Sequence, residues 1–242
     1  MVSRIKTSIN KVLQHIWSEN AISFMNVIHT SQKNVLHPTL ANLINAQNPK
    51  KLLDYGCGDG RILDLLNNDI KIDVHDINQE MLDIIEHKQG KKIASYYLDR
   101  EKISKNTYDA VLLSMVLVCI DNEIEYLNVL KRIKLCKTKT GRVYIAVTHP
   151  CFRDKTFSNF YTSFSNKQPF KYLNNGAPFD VYIEDKMPPS VAFTDFHWSL
   201  SFTLNKILEA GLIIEKVIET SDDSKSKKEN KLFSPYLIIV AK

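Results

Sequence analysis

Short β-like runs alternate with helical stretches from Lys51 to Thr148, and no other feature of the chain limits its fold as much. The runs at 51–55, 70–75, 93–97, 110–114 and 143–148 are apolar and rich in branched residues. Helical spacing at 61–67, 79–87 and 123–135 separates them. Strands each followed by a crossover helix pair in parallel, with helices over both faces of the sheet. At the end of the chain the rhythm breaks. A helix at 200–210 stops at Gly211, and LIIEKVIET and PYLIIVAK follow as two strands with no helix between them, most easily antiparallel neighbours. The expectation is an α/β fold: a doubly wound, seven-stranded, mostly parallel sheet with an antiparallel last strand. Ahead of it, Ile5, Ile9, Val12, Leu13 and Ile16 recur at helical spacing, and a second helix is expected at 38–46.

At 242 residues the chain is read as one domain. It divides into an N-terminal helical cap (1–48), a ligand-binding core (49–150), a lid insertion (151–198), and a last helix with a β-hairpin (199–242). The net charge of +5 is partly carried by SDDSKSKKENK, where lysines mix with acids as on a solvated loop. Basic residues are not clustered with aromatics on a structured face, so a nucleic-acid partner is not indicated. Cys57, Cys119, Cys136 and Cys151 include no CxxC pair, which argues against a zinc site and a disulfide framework, and no metal is expected. The first 20 residues lack an apolar leader region, and no run reaches the ~18 apolar residues of a membrane span. A cytoplasmic location is the simplest expectation.

The first strand ends in DYGCGDG. Gly56, Gly58 and Gly60 can take positive φ and let backbone N–H groups approach a ligand. The second strand ends in Asp76, where one carboxylate can hold both hydroxyls of a ribose. Asp76 could instead cap the helix that follows, although Asn78 can fill that role. The spacing is not that of a dinucleotide fingerprint, since the third glycine comes one residue early and Asp59 sets a negative charge where a pyrophosphate would lie. No G-K-[ST] follows. An adenosine ligand with a neutral or positive tail fits better.

Taken in order, LLDYGCGDG, VHDIN, LDRE, YDAVLLSMVLVCI and GRVYIAVTHPCF resemble class I S-adenosylmethionine-dependent methyltransferases, most closely the small-molecule, ubiquinone-biosynthesis-like (type 11/12) kind. The resemblance implies a Rossmann-like fold and S-adenosylmethionine as co-substrate. It also implies roles. Asp54 and the backbone of Gly56, Cys57, Gly58 and Gly60 would line the methionine part, with Cys57 a small filler. Asp76 would hold the ribose, with Ile77 over one adenine face and Asn78 beside it. Asp99, flanked by Leu98 and Arg100, would accept the adenine amine, although alone it could be an exposed loop acid. Ser114 and Met115 would lie beside the methionine moiety. A segment near Phe24 and His29 would close over the donor.

Of the 11 phenylalanines, eight lie between Phe152 and Phe196, among Pro169, Pro178, Pro188 and Pro189. This insertion reads as irregular, either a satellite core or a lid that walls an acceptor pocket. His149 and His197 are the candidate general bases for an O–H or N–H acceptor, and each could equally be structural, bracing a turn or packing on Trp198. The expected activity is methyl transfer to O or N of a small aromatic or apolar acceptor. The alternatives are an RNA or protein methyltransferase and a non-catalytic S-adenosylmethionine-binding protein. A nicotinamide enzyme is disfavoured by the glycine spacing.

Overall fold

A computed structural model describes residues 30–164, 170–183, 191–221 and 233–242. The first amphipathic helix expected from the sequence, Phe24, His29, three of the four named prolines and most of the lysine-rich loop lie outside the described residues.

β1 (Lys51–Tyr55) pairs in parallel with β2 (Lys71–His75) and with β4 (Tyr108–Ser114). β3 (Ile93–Tyr97) lies outside β2, and β5 (Lys137–Thr148) outside β4. The last strand, β10 (Tyr236–Ala241), is antiparallel to β5 and sits between it and β9 (Ile214–Glu219), giving the order β3-β2-β1-β4-β5-β10-β9. This is the seven-stranded, mostly parallel sheet read from the alternation. The strand order reverses beside β1, so a crevice opens beyond the carboxyl ends of β1 and β4.

Both faces of the sheet are covered because its inner strands are buried on both sides. Leu52, Ile72, Leu112 and Ala146 pack under α1 (His37–Gln47) and α2 (Gln79–Gln89). Leu53, Val111, Leu113 and Ile145, one residue out of phase, pack under α3 (Glu123–Cys136) and α4 (Leu200–Glu209). Side-chain caps start three of these helices: Asn78 accepts from Glu80 N, Asn122 from Glu125 N and Ser199 from Phe202 N. Among the described residues no helix is long and apolar enough to cross a membrane, and no group of three His, Cys, Asp or Glu could hold a metal ion.

Three expectations need correction. The helix expected at 61–67 is one 3-10 turn, Arg61–Leu65, closed at Leu66 by extended backbone. β5 begins at Lys137, where a polar KTKTGR stretch pairs with the start of β4; a Cβ on Gly141 would meet the Tyr108 carbonyl at 2.6 Å, so only glycine fits there. The aromatic-rich insertion is not merely irregular. β6 (Phe160–Ser163), β7 (Ala177–Ile183) and β8 (Val191–His197) form a second, antiparallel sheet. On β7 the alternation buries Phe179, Val181 and Ile183 against the core and leaves Pro178 exposed.

Candidate functional site

A cavity of about 210 Å³ opens at the reversal in strand order. Its floor is the loop after β1, pinned where Gly56 N and Cys57 N both donate to the His75 carbonyl, at 2.7 and 2.9 Å. The three glycines serve different ends. A Cβ on Gly56 (φ +79°) would stand 2.3 Å from Val116 Cγ2, and one on Gly60 would strike the end of Ile85, so both are fixed by packing and conformation. Gly58 (φ +50°) alone has nothing within 4 Å of its missing Cβ. All three take the positive φ expected of them, and only beside Gly58 does the missing Cβ leave open space.

Two carboxylates flank that opening. Asp54, at the carboxyl end of β1, is 3% exposed, and burial with the nearby Asp76 charge pushes its pKa up to about 7. No hydrogen bond to the carboxylate offsets that rise. Asp76, half-buried at the end of β2, accepts from Asn78 N on Oδ1 and from Gly58 N on Oδ2, each at 3.0 Å. Burial raises its pKa while these N–H groups pull it down. Ile77 and Met81 add an apolar wall beside Asp76, and Ser114 and Met115 close the β4 side. Met115 holds φ +60°, a conformation non-glycine residues rarely adopt, at the edge of the cavity. Cys57 lines the cavity with its thiol pushed up by burial, in keeping with a filler.

Other sequence candidates stand elsewhere. Asn78 is spent on capping α2. Asp99, exposed at the end of β3, accepts from Glu101 N at 2.9 Å, and Arg100 is turned to Glu125; neither lines the cavity. The histidines also stand elsewhere. His149 accepts from Cys151 N on Nδ1 (3.2 Å), so its Nε2–H donates to Glu219 (2.8 Å). His197 engages the Tyr172 carbonyl through Nε2 at 2.7 Å, and burial lowers its pKa to about 4. Both are buried, His149 just ahead of a 3-10 turn and His197 at the end of β8, and neither lines the cavity. Asp59 is corrected too: Arg61 (2.6 Å) and Lys88 (3.6 Å) offset its charge, so it does not by itself repel a phosphate.

Sequence reasoning missed Asp195, which reaches the same cavity from the second sheet beside Phe160 and Phe193, and His75, which lines it too. His75 packs on the Tyr55 ring with centroids 4.3 Å apart, and burial drives its pKa down to about 3. The signal for Asp195 was the period of VAFTDFH: once this run is a strand, Phe193, Asp195 and His197 share one face.

The sequence model of a family described as a methyltransferase domain matches residues 28–175. Comparison with curated protein sequences gives no match. Among solved structures the chain resembles an S-adenosylmethionine-dependent methyltransferase of Clostridium acetobutylicum ATCC 824 at 13% identity, covering 94% of this chain and 96% of that one, with a TM-score of 0.61. It also resembles the 1,6-didemethyltoxoflavin-N1-methyltransferase of Burkholderia thailandensis, solved with 1,6-didemethyltoxoflavin and S-adenosylhomocysteine. There the identity is 12%, the coverage 97% and 88%, and the TM-score 0.62. For the N-methyltransferase NodS of Bradyrhizobium japonicum WM9, in complex with S-adenosylhomocysteine, the values are 10%, 85% of each chain and 0.54. At these identities the likeness is one of fold.

Proposed function

The chain belongs to the methyltransferase-domain family, and from that premise we propose that the cavity binds S-adenosylmethionine and passes its methyl group to oxygen or nitrogen of a small aromatic or apolar acceptor. The observation that carries this reading is the pair of carboxylates, Asp54 and Asp76, set around the open backbone of Gly58. A buried acid without a partner suits a cationic ligand better than a phosphate, which it would repel. When bound, S-adenosylmethionine supplies a methyl group already activated on a sulfonium.

The residues divide the remaining work. Asp54 and the Gly56–Gly58 backbone hold the methionine end, its ammonium against the Asp54 carboxylate. Asp76 keeps lone pairs for two ribose hydroxyls while its N–H contacts fix the carboxylate plane. Ile77 and Met81 offer a flat apolar surface for the adenine ring. Ser114 and Met115 border the reacting methyl. Most of the rate then comes from holding the acceptor in line and about 3 Å from that carbon, with Phe160 and Phe193 excluding water as a lid.

Calorimetric titration with S-adenosylmethionine, S-adenosylhomocysteine and NAD tests the reading. Micromolar binding of the two sulfur ligands and none of NAD is the expected result. NAD binding alone, or no binding of either sulfur ligand, refutes it.

A further inference from the structure

Asp195 is a buried carboxylate for which neither the fold nor the donor site has a use. It lies on the inner face of β8, 1% exposed, and lines the same cavity as Asp54 and Ser114. Its Oδ1 stands 3.8 Å from Cys119 Sγ, a long and weak contact. Its Oδ2 has no hydrogen-bond partner among the described residues. An acid kept for structure is normally paired, because leaving it unsatisfied in the interior is costly.

The counter-charge is near but does not consume it. Arg153 is 3% exposed, its guanidinium is 5.2 Å from the centroid of the Phe179 ring, and its Nε and Nη1 also lack partners. Among the described residues no ion pair within 4 Å joins it to Asp195, yet its field reaches that carboxyl and favours the ionised form. Burial acts the other way and pushes the Asp195 pKa up to about 7, the range in which a carboxylate can both hold and release a proton near neutrality. The cavity that Asp195 lines is also walled by Phe160, Phe193, Val118 and Met115, surfaces suited to a flat apolar ring.

Resting on the methyltransferase reading, we propose that Asp195 anchors the acceptor and is its general base: Oδ2 accepts a hydrogen bond from an O–H or N–H on an aromatic acceptor and takes that proton during transfer. The acceptor heteroatom's lone pair forms the bond to the methyl carbon. The carbon–sulfur bond breaks with its electron pair passing to sulfur, which becomes a neutral thioether, and the proton ends on Asp195. Arg153 is a positioning residue that holds the carboxyl ready to ionise.

The test uses the full chain, a donor labelled in its methyl group, and catechol, aniline and benzimidazole as probes, with S-adenosylhomocysteine titration alongside. The wild type is expected to methylate at least one probe. Asp195→Asn should lower kcat on that probe by about 100-fold or more while KM and S-adenosylhomocysteine affinity stay within a few-fold. Formate should restore part of the activity of Asp195→Ala, which a merely structural role would not allow. If Asp195→Asn does not fold, as judged by lost S-adenosylhomocysteine binding, Asp195→Ser takes its place. Bound S-adenosylhomocysteine with none of the probes methylated overturns the proposal and leaves the donor reading standing. So does an unchanged kcat in the Asn or Ser variant. A wild type that binds no S-adenosylhomocysteine overturns both.

Discussion

Donor affinity should depend on pH through Asp54, and the size of the effect follows from its surroundings. Burial holds this carboxyl at about 7, so the free protein keeps it largely protonated in mild acid. A cationic methionine end binds against the ionised form, and binding must therefore expel the proton. If only the ionised form binds, Kd scales with 1 + 10^(pKa − pH), which predicts affinity about 15-fold tighter at pH 7 than at pH 5.5. Titration with S-adenosylhomocysteine across that range, repeated at pH 6 in two buffers of different ionisation enthalpy, should also report release of roughly 0.9 proton. The sign is set by the raised pKa, because a group that gives up its proton on binding makes binding stronger as pH rises. Asp54→Asn should remove most of the slope, leaving the share due to Asp76, and should weaken binding at pH 7 by about ten- to a hundred-fold, the usual worth of a charged hydrogen bond. A flat Kd with no buffer dependence, or an Asp54→Asn variant that keeps the whole slope, would mean that Asp54 does not give up a proton to the donor.

Three further results are expected. Gly56→Ala should cost about 1–3 kcal/mol in a denaturation midpoint, since its methyl would strike Val116, whereas Gly58→Ala should fold with only the strain of its positive φ and lose donor affinity by calorimetry. Asp76→Ala should weaken S-adenosylhomocysteine binding by about 1.5–3 kcal/mol, and unchanged affinity in a folded variant would remove its ribose role. Tyr108→Phe, which deletes the 2.7 Å hydrogen bond to buried Asp73, should lower stability by about 1–3 kcal/mol in urea while donor affinity stays the same.

What proved legible in the sequence was local. Asp54, the glycines and Asp76 lie at strand ends a short span apart, and parallel pairing of Asp54 with Val74 and of Tyr55 with His75 brings those ends together almost automatically. At His149 proximity in sequence left its partners open. Its place at the end of β5 pointed to catalysis, but the Cys151 N–H and Glu219, the latter from a strand 70 residues on, claim both ring nitrogens.

The layered α/β architecture and the meeting of Asp54, Gly58 and Asp76 at one cavity were legible from the sequence, because both rest on short-range periodicity and on motif spacing that survive whatever the rest of the chain does. It took the folded chain to settle which glycine is open and which carboxylate of the second sheet lines the cavity. Val116, Ile85 and Glu219 are remote in sequence from the groups they block or bind, and β8 carries Asp195 to the cavity through pairing with β7. Such contacts depend on register and on the approach of distant elements, and one residue of slip would have turned Asp195 outward.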